Sequence, residues 1–304
     1  MSIDILLTGQ AKDLGGGFMV SRLLPSSQLK AVGPFVFFDH FGPLEVQPGA
    51  NHDVRPHPHI GLATVTYLFD GAMLHRDSLG TVQRIEPGAI NWMTAGRGIV
   101  HSERAPEDLK PKAYLQHGLQ LWVALPGAHE ETAPAFTHTP AQDIPAFSQA
   151  GSQVRVLVGQ AFGQTSPVKT FSATLFLDIQ LAAGACLSLP PLAEELAVYA
   201  VRGDVRIDGE ALANRALATL APGQPAQIRA SAPARLAVIG GDKLDAQRFV
   251  WWNFVASRRE RIVQASRDWE AQKMGQIPGE TEFIPLPERR FEPAASQVSG
   301  APYL

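Results

Sequence analysis

Two short stretches of this chain carry metal-capable side chains at a spacing a β-strand can use. His57-Pro58-His59 and His101-Ser102-Glu103 each set two donor-bearing residues two positions apart. Successive side chains of a strand point to opposite faces, so residues i and i+2 share a face. Two such strands brought together inside a barrel aim three imidazoles and one carboxylate at a single point. Neutral imidazole suits iron, nickel, copper or zinc, and an added carboxylate keeps iron(II) and manganese in the set. Three nitrogens and one oxygen leave two positions of an octahedral ion open, where a substrate oxygen or dioxygen binds. One HxH pair alone is a common accident of an exposed strand. The metal reading rests on both pairs together, in a β-rich half of the chain.

The other ionisable and aromatic candidates have simpler explanations. His75 and Asp77 are expected to form a hydrogen-bonded pair in a hairpin, with a place beside the metal as the alternative. His40 sits in a turn with Asp39 and Phe41, either at the mouth of a pocket or on the surface. Nothing in the spacing of His52 and His117 places them, and His129 and His138 are expected to be solvated. Phe35, Phe37, Phe38, Trp92 and Met93 either wall an aromatic pocket or simply fill the core. Gly96-Arg97-Gly98 lacks the strand-loop-helix context of a phosphate site. Cys186, the single cysteine, is expected to be buried and inert.

The elements that must position these groups read as strands. Residues 18–24, 35–38, 63–69, 73–77, 82–85, 90–93, 99–103 and 119–125 are rich in branched and aromatic residues, separated by turn signals such as Asp70-Gly71 and Pro87-Gly88. Residues 39–43 read as a turn and 44–56 as loop. Strands at intervals of about ten residues indicate a sandwich or barrel. Residues 126–152 read as a connector between domains, either free or ordered against the barrels. The style then repeats in 154–158, 173–179, 196–201, 205–207 and 234–239, and Tyr67-Leu68-Phe69-Asp70-Gly71 has an echo in Tyr199-Ala200-Val201-Arg202-Gly203. All nine histidines precede residue 139, so chemistry is expected in the first half only. A helix is expected from Ser257 to Met274, with Ser257 as N-cap, Glu260 completing a capping box, Ile262, Val263, Ser266 and Trp269 on one face, and Gly275 as the stop. The tail 292–304 is expected either to be loose or to strap a barrel.

Bulk properties limit the function classes. The chain has 304 residues, a net charge of −3 and only 18% charged residues, which argues against an electrostatic nucleic-acid binder. One cysteine excludes an internal disulfide and fits a reducing compartment. No signal-peptide pattern opens the chain and no apolar run is long enough for a membrane span, so a cytoplasmic location without membrane contact is expected.

The residues also carry a family likeness. His57-Pro58-His59-Ile60-Gly61, Thr64-Val65-Thr66-Tyr67-Leu68, Gly71 and His75-x-Asp77-Ser78-x-Gly80 resemble the first signature of the pirin family. Asn91 through Glu103 and Gly118-Leu119-Gln120-Leu121-Trp122-Val123 resemble its second. The resemblance extends to Gly33-Pro34-Phe35 with Asp39, and faintly to Asp268-Trp269. It implies an all-β bicupin: two antiparallel jelly-roll-like barrels with a short C-terminal helix. It implies a metal-binding barrel in residues 1–140 and a metal-free barrel with helix and tail in 141–304. It implies iron(II) held by His57, His59, His101 and Glu103, with manganese, nickel, copper, cobalt or zinc as other occupants. Some members oxidise flavonols such as quercetin with dioxygen; others act as metal-dependent partners of regulatory proteins. The activity expected here is therefore that of a quercetin 2,3-dioxygenase acting on a small phenolic, with Glu103 also catalytic as proton acceptor. The alternative is a metal-dependent protein-binding module without turnover. In one respect the chain departs from the family: Ala63 stands four residues after the second histidine, where the pattern carries a glutamate. That glutamate is expected to act near the substrate, so its loss bears on turnover more than on metal binding.

Overall fold

The computed structural model describes residues 3–13 and 18–291. The glycine turn Gly15-Gly16-Gly17 and the tail 292–304 lie outside the described residues. Two antiparallel β-barrels follow one another, as expected from the regular alternation of strands and turns. Each is a seven-stranded sheet facing a four-stranded one. In the first barrel the large sheet runs Ala135–Thr139, Ile90–Thr94, Leu62–Asp70, Tyr114–Ala124, Phe35–Val46, Met19–Leu24 and Gln10–Asp13. Its small sheet runs Val54–His59, Ile99–Arg104, Met73–Asp77 and Val82–Ile85. The second barrel repeats this plan, with Thr174–Leu181, Glu195–Arg202 and Ala234–Gly241 at the centre of its large sheet.

The large sheets pack back to back, and sequence alternation decides which side chains meet there. Along Leu62–Asp70 the odd-numbered Ala63, Val65, Tyr67 and Phe69 join the shared core, together with Phe38 and Leu121 from the first barrel and Phe176, Tyr199 and Ile239 from the second. The even-numbered positions turn into the first barrel, where Leu62 packs with Phe37 and Trp122. The small sheet of the second barrel closes over Leu187, Leu189, Ile207 and Ile228, all buried among apolar neighbours. That interior is filled with hydrocarbon where the first barrel keeps a cavity.

The two echoing tyrosines reach across this seam and exchange partners. Tyr67 of the first barrel donates its hydroxyl to Asp178 of the second at 2.7 Å. Asp178 in turn accepts two bonds from Arg235, whose guanidinium lies over Phe69. Tyr199 of the second barrel lies 2.7 Å from His40 Nδ1 of the first. His40 Nε2 meets His117 Nε2 at 2.7 Å, and His117 Nδ1 reaches Asp70 at 3.4 Å. One neutral assignment satisfies every bond: Tyr199 donates to His40, His40 to His117, and His117 to Asp70. His40 is therefore not at a pocket mouth or in a surface turn. It is buried in the seam because its strand continues through residues 39–46.

Several other elements differ from the sequence expectation. Phe35–Val46 and Val54–His59 take up most of the stretch read as turn and loop. The connector is ordered: Ala135–Thr139 joins the first large sheet and Ala146–Gln149 the second. Ile3–Thr8 pairs with Ala216–Leu220, so the start of the chain completes the second barrel's sheet. The helix spans Arg259–Glu270 and buries Ile262, Ala265 and Trp269. Ser257 does not cap it. Its backbone N–H and hydroxyl both donate to Glu130 instead. The helix ends before Gly275, where Gln272 takes up a left-handed conformation (φ +52°). Among the described residues no helix is long and apolar enough to cross a membrane.

Candidate metal centre

The small sheet of the first barrel builds the site. His57 and His59 lie on Val54–His59, and His101 pairs directly with His57 across the ladder. Both strands turn their alternate side chains inward, so the three imidazoles converge. Their donor atoms lie within 4.8 Å of one another, and all three residues are buried. Ring centroids are separated by 4.3 Å for His57 and His101, and by 5.0 Å for His59 with either partner.

Hydrogen bonds on the far side of the rings orient them. His57 Nδ1 donates to the Arg55 carbonyl at 2.9 Å, and His59 Nδ1 donates to the Asn253 carbonyl at 3.0 Å. A ring nitrogen that donates this way leaves Nε2 as a lone-pair donor facing its neighbours. His101 Nδ1 lies 3.4 Å from His75 Nδ1, while its Nε2 is buried without a partner. A buried, unpartnered ring nitrogen among two other imidazoles suits a metal ligand. Burial disfavours the charged form of all three: His57 is pushed down to about 4, and His59 and His101 well below the usual imidazole range. Neutral imidazole is the form that binds metal.

Glu103 lines the same cavity but lies outside the three-histidine group. The pairing slips between His101 and Glu103, which stands opposite Val54 rather than Arg55. Pro56, which has no N–H to give to a ladder, sits in that slip. The Glu103 carboxylate takes a 3.4 Å bond from Thr66 Oγ1, which bonds Gln120 Oε1 more closely at 2.8 Å. Burial raises the Glu103 carboxyl above the usual range.

Above the histidines lies a cavity of about 690 Å³. Phe37 and Trp122 stack along it with centroids 4.0 Å apart, Trp122 meeting the edge of His59 and Arg22 covering the other face of Phe37. Arg22 is fixed by two bonds to buried Asp39. Of Phe35, Phe37, Phe38, Trp92 and Met93, only Phe37 lines this cavity. Phe35, Phe38 and Trp92 belong to the seam, and Met93 packs inside the barrel. His75 bonds Asp77 at 3.0 Å within its hairpin, as expected, and also touches His101. His52 lines the cavity beside Phe18, and His117 belongs to the seam. His138 is partly exposed and bonds Asn91 at 2.7 Å, and His129 is exposed, as expected, with its ring against Phe171. Cys186 is partly exposed.

Ala63 does not face this cavity at all. It points into the seam with Val65 and Tyr67, while Thr66 on the opposite face reaches Glu103. A carboxylate at position 63 would enter the hydrocarbon between the barrels, so alanine there removes nothing from the site.

What the sequence signals missed is the contribution from the end of the chain. The turn between Phe249–Trp251 and Phe254–Ala256 puts Trp252 into the cavity wall with φ +52° and presents the Asn253 carbonyl to His59. Gly61 makes this docking fit: it has φ +68°, and a Cβ there would lie 2.0 Å from the Val255 carbonyl oxygen. A backbone carbonyl leaves no mark in a residue pattern.

Comparison with known proteins agrees with this architecture. The model of the pirin family matches residues 17–123, and that of the pirin C-terminal cupin domain matches 176–275. A pirin-like protein of Caulobacter vibrioides is 44% identical over 94% of this chain and all of its own length. A Pseudomonas aeruginosa protein provisionally named a quercetin 2,3-dioxygenase is 40% identical over 87% of this chain and 82% of its own. The crystal structure of an Acinetobacter baumannii quercetin 2,3-dioxygenase superposes with a TM-score of 0.89, at 32% identity over 96% of this chain and 97% of that one. With both halves matched and the histidine cluster where the family signature puts it, the chain belongs to the pirin family.

Proposed function

We propose that the first barrel holds one iron(II) ion through His57, His59, His101 and Glu103, and oxidises a small flavonol-type phenol with dioxygen. The observation that carries this reading is the convergence of three neutral, Nε2-directed imidazoles at the floor of an aromatic-walled cavity. When bound, iron(II) supplies a Lewis acid and a one-electron partner for dioxygen. The protein supplies the rest. The cavity falls within the range of about 300–1,000 Å³ typical of sites for small organic ligands. The Phe37–Trp122 stack offers a flat face that orients a planar ring, and Gln120 and Arg22 offer polar contacts on the same wall. Glu103, which among the described residues takes one long bond from Thr66, keeps a carboxylate oxygen beyond the one that holds the ion to accept the proton of a phenolic hydroxyl. The names carried by the Pseudomonas and Acinetobacter relatives support the same chemistry. The test is metal analysis of the purified protein followed by oxygen uptake with quercetin. Uptake that needs bound iron is expected, and no uptake by protein shown to hold iron would sink the reading for that substrate.

A second reading, a metal-dependent module that binds a protein partner without turnover, draws on the solid apolar interior of the second barrel. That barrel adds surface to the protein around an interior filled by apolar side chains. Partner capture lost in His59→Ala would favour it; capture indifferent to the metal would dismiss it.

A further inference from the structure

We propose that Glu280 is a positioning residue for this centre, holding the strand of His101 and Glu103 from outside the barrel. The inference rests on the metal-site reading above. Ser102 lies between two inward-facing residues and therefore points the other way. It is fully buried, and its hydroxyl donates to Glu280 Oε1 at 2.6 Å. Arg104, the next outward residue on the strand, spans both Glu280 oxygens and also bonds Asp53 and Glu282. The Glu280 side chain is only 6% exposed, so these charge-assisted bonds are sheltered from solvent.

The same terminal arm grips the other histidine strand. Ile284 N–H donates to the Pro56 carbonyl at 2.8 Å, immediately before His57. Val255 N–H donates to the Ile60 carbonyl at 3.2 Å, immediately after His59. Trp269 Nε1 bonds the Ile284 carbonyl and ties the arm to the helix. The two strands that bear the candidate ligands are thus bound from behind by the stretch 255–284, whose part after the helix, residues 271–291, is the terminal arm, with the sheltered Glu280 carboxylate against the His101 strand. Partners bonded directly to a ligand are typically worth about 10- to 100-fold in metal affinity; Glu280 acts one residue further out, through Ser102 and Arg104, so the low end of that range is expected. Coupling of this kind is reciprocal: an arm that holds the metal strands in place is itself held by the metal.

Cobalt(II) is the probe, because its visible absorption reports ligand geometry. Glu280→Ala is expected to release cobalt to a chelator about tenfold faster or more, with an altered absorption band. Glu280→Gln, which keeps an acceptor for Ser102, should recover part of both effects. Arg84→Ala, which removes exposed ion pairs on the same small sheet, should change neither. In the unaltered protein, cobalt should slow tryptic cleavage within the arm. Release from Glu280→Ala within twofold of the parent, with a superimposable spectrum, overturns the proposal. So does a cleavage rate indifferent to cobalt, a comparison that needs no variant to fold. A parent protein that takes up no cobalt would overturn the metal reading itself, and this inference with it.

Discussion

Lowering the pH should loosen the seam between the barrels, and His40 sets a calculable share of the loss. Burial is the main cause that pushes its imidazole down to about 3, with Arg215 and His117 adding to it. The folded state therefore prefers neutral His40, whereas the unfolded chain titrates near 6.5. A group depressed in this way contributes its full stability above the unfolded value and loses it as the pH falls toward the folded one. At about pH 5 the unfolded imidazole is nearly all charged and the folded one is not. The gap from 6.5 to 5, at about 1.36 kcal/mol per pH unit, gives about 2 kcal/mol lost relative to about pH 7.5. His40 is 1% exposed, so solvent screening does not reduce this. With an unfolding entropy of about 2.1 cal/mol/K per residue, 304 residues convert the loss into about 3 °C of Tm. The control is His40→Gln, whose amide can accept from Tyr199 and donate to His117 without titrating. Histidines away from the seam titrate alike in parent and variant, so the difference between their Tm-against-pH curves isolates His40 with its bonded neighbour His117. A variant curve parallel to the parent's from pH 7.5 to 5 would refute the reasoning.

Three further outcomes follow from other contacts. Tyr67→Phe leaves Asp178 to Arg235 alone, and should cost about 1–3 kcal/mol in denaturant unfolding while metal content stays unchanged. Gly61→Ala forces a Cβ against the Val255 carbonyl at a left-handed backbone position, and should lower Tm and speed proteolysis of the terminal arm. Chelation should lower the Tm of metal-loaded protein: an ion present at about 100 times its Kd contributes about 2.7 kcal/mol, and His59→Ala should show no such response.

The sequence displayed the candidate ligands and hid their supports, for a physical reason. Period-two alternation exposed the strands, and the two donor pairs exposed His57, His59, His101 and Glu103, because side-chain chemistry is written in residue types. The barrel architecture followed from strand spacing and the pirin signature. What holds the histidines is mostly backbone: the Arg55 and Asn253 carbonyls would serve equally well from almost any residue. Strand ends misled where turn-forming residues sit inside a ladder, as Gly42-Pro43 does within Phe35–Val46. Ala63 misled for a different reason. Counting from the histidines gives distance along the chain, but the face is set by strand parity, and residue 63 shares its parity with the seam residues Val65 and Tyr67. His40 looked like a loop residue until the strand around it placed it opposite Leu119.

Strand parity also explains what a barrel without histidines contributes. Tyr67 and Tyr199 occupy matching positions in the two repeats, and each finds its partner on the other barrel rather than its own. Apolar burial alone would let two flat sheets slide. Two directional bonds to Asp178 and His40 fix one orientation, because a displaced seam would leave two buried tyrosine hydroxyls unpaired at about 1–3 kcal/mol each, while Asp178 keeps Arg235 and His40 keeps His117. The chain ends add to this. Ile3–Thr8 crosses to complete the second large sheet, and Phe254 crosses back to bridge Ile60 beside His59. Residues 1–140 therefore contain all four candidate ligands but lack the carbonyl that orients His59, the anion behind Ser102 and the partner of Tyr67. The donor atoms come from one half of the chain, and the geometry that makes them a site comes from both.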